Sequence, residues 1–546
     1  LKFLQPTISD SLGFSTIWSR ISPSSQLGVV AKKQVTPFVK EEEEELRTEL
    51  NNLELVYSKF ADQRAEIEQI KDILQEVKDI RGTVKRTNRG SVLDDVELFE
   101  IKKLLDQIEK LSQIIGQLQL NEIYAGELAV FPDLIDLLDI GQNKKDSFYL
   151  ADEYSEELIE IRAEKKKIDN QLLNLQQAQA EEIETLIKRP VPINEEINVS
   201  KNDEELIEKL ESKPQISLVR ENFATVTFKL KSNQQILELK EEKKKLKTKE
   251  EICKQKVRRK LTEQIGCQAE ELLANLEKIG YLDLLIAKAE FAYETDSVRP
   301  QLIQKDKIEI KAGRHLVVEE ELAAENLEFT PIDVRLKQGS TLITGPNMGG
   351  KTVSLKLIGL LIVMAQYGLF IPAASLQFSL RNFVYFSVTS DTLASGLSTF
   401  GTEINNLKEV VAVASQSGLI LIDEVAHGTN PKEGYAIAAA IIEKLETMNS
   451  MSAFTTHFER LAVNLNVRHL QVKGLDEAKL TEFKDLIKQQ GVKLLNKCMD
   501  YELQPADPEQ DIPHDALQVA EILGFDEEIL STAQEILTSE FESKEE

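Results

Sequence analysis

A chain of 546 residues is long enough for several domains, and 42% hydrophobic with 29% charged residues is the composition of a soluble globular protein rich in exposed helix. A formal net charge of −27 opposes non-specific affinity for nucleic acid, which draws its strength from Lys and Arg neutralising phosphates. Cys253, Cys267 and Cys498 have neither metal nor disulfide spacing, which points to a reducing cytosol, and no stretch is apolar enough to span a membrane, since Lys356 and Gln366 interrupt the nearest one at 353–374.

No basic, apolar leader opens the chain, and it begins at Leu1 rather than Met, so a cytoplasmic protein lacking a few residues is expected. Residues 1–155 read as mainly helical. The acidic run 41–45 opens a helix whose apolar positions Leu46, Leu50, Leu53 and Val56 follow helical spacing, and such acids near a helix start favour its dipole. Residues 156–189 and 236–290 have few glycines and abundant Glu, Lys, Leu and Gln, which predicts two long helices, the second rising about 1.5 Å per residue along its length if unbroken. Between them Pro190, Pro192 and Pro214 break the helical pattern, and 216–230 includes the alternation at 224–230 expected of strands. This predicts two antiparallel arms with a small tip at 190–235, equally a plain coiled-coil hairpin. Lys243, Lys244 and Lys245, with 254–260, are basic patches on the second arm, although alternation with Glu also suits a solvated helix face.

Thr341-Leu342-Ile343-Thr344-Gly345-Pro346-Asn347-Met348-Gly349-Gly350-Lys351-Thr352 is an apolar strand running into a glycine loop and then the helical pattern of 353–365. Gly345, Gly350, Lys351 and Thr352 satisfy the P-loop pattern, in which backbone N–H groups and a helix N-terminus face the phosphates of a nucleotide. Lys351 is expected to reach the β and γ phosphates, and the Thr352 hydroxyl to ligate Mg²⁺. About seventy residues on, 418–422 reads as a buried parallel strand ending in Asp423 and Glu424. Ligands of open α/β sheets sit beyond the carboxyl ends of strands. Asp423 is therefore assigned to the Mg²⁺ shell, and Glu424 to orienting or deprotonating the attacking water.

These residues resemble the MutS family of DNA mismatch-recognition and DNA-structure-binding ATPases. The likeness rests on 344–352, on Leu397-Ser398-Thr399-Phe400 with Glu403, on Asp423-Glu424 followed by Gly428-Thr429, and on Thr455-Thr456-His457, all in the family's order and strongest over 310–465. Gly90-Ser91-Val92-Leu93 and the helical 96–111 resemble a segment of the family's shorter bacterial branch. The resemblance implies a multidomain α plus α/β fold: a helical core (1–155), long lever helices (156–189 and 236–295), a clamp-like tip (190–235), an ABC-type P-loop ATPase domain (296–480) and C-terminal dimerising helices (481–546). It further implies ATP and Mg²⁺ as cofactors, a homodimer, and DNA as partner. Ser398 and Thr399 resemble the signature that reaches across the dimer to the γ-phosphate, His457 the histidine that senses it, and Asn347 a residue near the nucleotide.

Three positions depart from the family pattern. Gly401 stands for the usual Met, His427 for the usual Arg, and Leu316 follows Arg314-His315 in place of Pro, which places the cross-dimer coupling in question. The family's Phe-x-Glu wedge has a counterpart only in Phe525-Asp526-Glu527, inside a helical pattern near the C-terminus, and no nuclease-like tail follows the ATPase. Direct mismatch reading is thus not expected. The reading is a dimeric ATPase whose cycle opens and closes arms around DNA. The alternative is a MutS-like ATPase that reactivates a protein client such as a cobalamin-dependent aminomutase, favoured by the acidic balance.

Overall fold

The structure is a computed structural model. It describes all of the chain except residues 1, 142–146, 189, 192–195, 347–349, 388–395, 426–429, 457, 459–460, 462–463, 466, 477–479, 482–497, 507–514, 523 and 543–546; at 396–400, 515–516 and 537–542 it describes the backbone alone. The fold is mixed helical and α/β with three sheets, and the chain divides into two compact units, one formed by 77–113 and 128–276, the other by 1–76, 114–127 and 277–546. Among the described residues no helix is long and apolar enough to cross a membrane.

The first of these units is dominated by two helices, Glu156–Ile187 and Gln234–Cys267. The second starts where Asn233 caps it, its Oδ1 accepting from the Ile236 N–H at 2.8 Å. Apolar residues at helical spacing, among them Leu158, Ile161, Ile168 and Leu172 from one helix and Ile236, Leu246 and Cys253 from the other, form the seam. The arm expected to continue to 295 ends at Cys267. There the Gln268 N–H turns back to the Ile265 carbonyl at 3.0 Å, and a new helix, Ala269–Glu294, begins. At the far end, β1 (Glu196–Ser200), β2 (Ile216–Glu221) and β3 (Thr225–Leu230) make an antiparallel sheet in the order β1-β3-β2. The stretch 216–230 is thus a hairpin, closed where the Asn222 N–H meets the Thr225 carbonyl at 2.8 Å. Phe228, Val226, Ile197, Val199 and Leu210 form its core.

One polar group sits in the seam. The Glu250 side chain, 9% exposed, accepts from Lys165 Nζ at 2.7 Å and Arg162 Nε at 3.2 Å, with Lys254 Nζ 3.4 Å away. Burial pushes its carboxyl up, but the hydrogen bonds from Lys165 and Arg162 and the charge of Lys254 outweigh that and hold it at about 2, against 4.5 for an unperturbed glutamate. A carboxyl whose folded value is depressed stabilises the fold above its unfolded value and loses that contribution as pH falls toward the folded one. Glu250→Gln is therefore expected to lower the thermal midpoint at neutral pH. Between pH 4.5 and 2 the gap to the parent should close as Glu250 takes up its proton. Melts followed by circular dichroism check this, and a gap independent of pH would refute it.

In the other unit N-terminal helices, including Glu43–Asp62 and Arg64–Glu76, are tied by polar contacts to Ala269–Glu294. Asp283 accepts from the Ser24 and Ser25 N–H groups at 2.8 and 2.7 Å, and the fully buried Lys288 pairs with Glu49 at 2.6 Å. The chain continues through β4 (Gln301–Leu302), β5 (Lys307–Gly313), β6 (Ile332–Lys337), β7 (Gly339–Thr344), β8 (Ser375–Phe378), β9 (Val384–Phe386), β10 (Leu419–Ile422), β11 (Met451–Thr455), β12 (Arg468–Leu475) and β13 (Met499–Pro505). One sheet has the order β4-β8-β5-β6. The larger has the order β13-β12-β7-β11-β10-β9, parallel except for β13.

Two local expectations are corrected here. Residues 481–546 were expected to be helical, yet β13 lies among them, because Met499, Tyr501, Leu503 and Pro505 alternate with Asp500, Glu502 and Gln504 at the two-residue period of a strand. Phe525 and Asp526 lie between two helices, and Glu527 opens the second of them. Gly524, at φ +79°, ends Asp515–Ile522, and Asp526 Oδ1 caps Glu527–Glu542 by accepting from the Glu528 and Ile529 N–H groups at 3.0 and 3.2 Å.

Candidate functional site

The site is built at the carboxyl edge of the parallel sheet, where the ends of β7, β10 and β11 lie side by side. β7 is buried along its whole length and delivers the chain at Thr344 into the glycine loop. Gly345 takes φ +140°, and a Cβ there would lie 2.9 Å from the Val472 side chain. Gly350 takes φ +76° at the start of the helix Lys351–Gln366, with the Tyr501 ring 3.0 Å from where its Cβ would be. Both positions need glycine for backbone conformation and for space. Pro346 is described between them; Asn347, Met348 and Gly349 lie outside the described residues.

Lys351 is buried and donates from Nζ to the carbonyls of Gly345 and Pro346 at 2.7 and 3.1 Å. Burial pushes its ammonium below the usual lysine range, and the charges of Glu424 and Asp423 oppose that push. Thr352, one residue on, donates from Oγ1 to Asp423 Oδ2 at 2.8 Å. The other Asp423 oxygen accepts from Thr455 Oγ1 at 2.6 Å, and the same hydroxyl accepts from the Glu424 N–H at 2.9 Å. The Asp423 N–H donates to Ser387 Oγ at 2.7 Å. Three strand ends therefore hold one carboxylate: β10 supplies it, β11 supplies Thr455, and the residue after β9 supplies Ser387. Glu424 stands at φ +50°, a left-handed conformation that costs a non-glycine residue on the order of 1–3 kcal/mol. That turn takes the chain out of the line of β10 immediately after Asp423.

Ser398 and Thr399 occupy the first turn of the helix Gly396–Val413, where only the backbone is described. Farther along it Glu403 comes near the sheet: burial pushes the Tyr385 phenol up to about 12, and the charges of Glu403 and Glu409 add to it. His457, His427, Gly428 and Thr429 lie outside the described residues. Arg314 and His315 find partners away from the glycine loop, Arg314 on Glu319 at 3.2 Å and on the Thr295 carbonyl, and His315 as cap of the helix Leu316–Ala324.

Four residues of this edge were not singled out from the sequence. Thr455 was visible only as part of a motif, Ser387 follows an apolar strand with no motif at all, and His469 and Tyr501 arrive on β12 and β13. His469 Nε2 lies 2.7 Å from Thr344 Oγ1, with burial pushing its imidazole below the usual range.

A strand, a glycine loop, a buried lysine and a carboxylate fixed at a neighbouring strand end are thus brought together at one edge of the parallel sheet. Residues 341–541 match the family model described as MutS domain V. An endonuclease MutS2 of Thermomicrobium roseum is 29% identical over 494 residues, covering 85% of this chain and 57% of that protein. One from Carboxydothermus hydrogenoformans is 31% identical over 290 residues, covering 52% and 34%. A DNA mismatch repair protein MutS of Shouchella clausii is 29% identical over 444 residues, covering 77% and 49%. Residues 341–541 thus resemble MutS domain V, the chain is similar to proteins named MutS2 and MutS, and it spans about half the length of the curated relatives it matches.

Proposed function

We propose that this chain is a Mg²⁺-dependent ATP hydrolase of MutS type that works as a homodimer on DNA. The observation that carries the reading is the hydrogen-bonded line Thr352–Asp423–Thr455–Glu424 beside Lys351. The loop N–H groups and Lys351 bind the β and γ phosphates, and the helix Lys351–Gln366 adds the positive end of its dipole. Thr352 and Asp423 offer the oxygen donors that suit a hard cation. Among the described residues no group of three or more His, Cys, Asp or Glu could hold a metal alone, so nucleotide phosphates and water would complete the shell. When bound, Mg²⁺ supplies charge neutralisation on the phosphoryl oxygens. Glu424 orients or deprotonates water, and Asp423, fixed through both oxygens, keeps its position while it does so.

In the same reading, Ser398 and Thr399 offer donors to the γ-phosphate of the partner's site, His457 senses that phosphate, and Asn347 contacts the nucleotide. The helices at 156–189 and 236–295 act as levers, 190–235 as a clamp, 296–480 together with β13 as the ATPase, and the helices Asp515–Ile522 and Glu527–Glu542 as the dimerising segment. Relatives named for DNA mismatch repair and endonuclease action support DNA as the substrate. The test is ATP hydrolysis and binding with duplex, mismatched and branched DNA at low and moderate salt, with Lys351→Ala as the blank. DNA is expected to change the rate and to bind with salt sensitivity. Hydrolysis indifferent to every DNA, with no binding at low salt, would remove DNA from the reading and leave the ATPase standing.

A further inference from the structure

The helix Gln234–Cys267 has charges that its own fold does not use. Between 243 and 260 it carries ten Lys or Arg and only two acids, in a chain of net charge −27. Four of the ten are consumed: Lys243 by Asp169 at 2.5 Å, Lys254 by Glu250 at 3.4 Å, Lys256 by Glu157 at 3.0 Å, and Arg258 by Asp95 and Glu251 at 2.8 and 2.9 Å. Those pairs use both acids of the stretch. The other six, Lys244, Lys245, Lys247, Lys249, Arg259 and Lys260, are exposed and have no carboxylate within ion-pair distance among the described residues.

Their placement follows from the seam. Leu246, Glu250, Cys253, Val257 and Leu261 face inward, and at the helical period Lys245, Lys249, Arg259 and Lys260 fall together on one outward flank. They extend over about 22 Å of helix. Like charges four residues apart, such as Lys245 and Lys249, destabilise a helix. An external anion would relieve that repulsion. Glu160 and Glu164 are exposed on the helix alongside, yet neither closes to an ion pair among the described residues.

We propose that this outward flank, through Lys245, Lys249, Arg259 and Lys260, is a docking strip for the phosphodiester backbone of duplex DNA. The inference rests on the reading of DNA as substrate and deepens it by assigning a surface. A strip of lysines and one arginine reads charge rather than bases, so contact there is independent of sequence. A length of about 22 Å runs beside roughly six base-pair rises of duplex.

The experiment uses the full chain carrying Lys245→Ala, Lys249→Ala and Arg259→Ala together, with fluorescence anisotropy on a matched duplex, a mismatched duplex and a duplex RNA across a salt series. The slope of log affinity against log salt is expected to shrink by about 2.7, equally for matched and mismatched DNA, with a loss of roughly tenfold or more at low salt. Hydrolysis without DNA should be unchanged and the thermal midpoint not lowered, since the side chains are exposed. If the parent binds DNA and the variant keeps the parental slope, the strip is overturned while the DNA reading survives. A parent that binds no DNA at low salt removes both. Loss confined to duplex RNA overturns the assignment to DNA.

Discussion

Lys351→Ala is expected to cut ATP hydrolysis by about 10²-fold or more, because it removes a buried cation held against the glycine loop, where the proposed function needs phosphoryl charge to be stabilised. The substitution should leave the fold intact. Lys351 is buried, and its desolvated charge is opposed chiefly by Glu424 and Asp423, so removing it takes away a costly ion as well as two hydrogen bonds to the loop carbonyls. The discriminating measurement is thermal stabilisation by ATP. A ligand at 100 times its Kd adds about 2.7 kcal/mol to the stability of a protein that binds it. The parent should show that shift with ATP and Mg²⁺, and the variant should lose most of it at the same concentrations. A variant keeping a tenth of the parental turnover, or the full shift, would show that phosphate binding is organised elsewhere.

The complementary result is expected of Glu424→Gln: binding kept, chemistry lost. The amide preserves the size of the side chain and leaves the backbone N–H bond to Thr455 in place, so the stabilisation by ATP should persist. It cannot accept a proton from water, and loss of a general base costs typically 10²–10⁴-fold. Single-turnover measurements separate the two steps. An unchanged rate would exclude Glu424 as the base and turn attention to His457. Thr455→Val sharpens the test, since it deletes the hydroxyl joining Asp423 Oδ1 to the Glu424 N–H. If that N–H is left buried without a partner, a cost of about 1–3 kcal/mol is expected in addition to weakened hydrolysis.

The parts of this edge that could be read from the residues are those whose chemistry is local. A P-loop is contiguous, so Gly345 to Thr352 announce themselves by order and spacing. Asp423 and Glu424 are legible because an apolar run must stop at the sheet's edge and two acids stand at the stop. Thr455, Ser387 and His469 were not legible in the same way, since their partners are set by which strands become neighbours. That order is decided by packing between segments more than a hundred residues apart: β7 pairs with both β11 and β12. β13 was hidden for another reason. Its alternation is only seven residues long and sits among helical patterns, so period alone was too weak against its surroundings. The long arms were legible in composition, but their interruption at Gln268 was not, because no proline marks it and the break is a turn of backbone hydrogen bonds.

The carboxylate in the seam between Glu156–Ile187 and Gln234–Cys267 does more than respond to pH. Lys165 and Arg162, both on the facing helix, meet Glu250 at only one alignment of the two helices. Sliding one helix past the other by a turn would take Glu250 away from the Lys165 and Arg162 that hydrogen-bond it and leave it only Lys254 of its own helix, a loss that costs up to about 3–5 kcal/mol for a buried charge. An all-apolar seam would resist such a slip far less, since one leucine or isoleucine layer packs much like the next. The single acid therefore acts as an index mark. It makes the pair a rod of fixed alignment, in which bending at the ends is cheaper than slippage along the length.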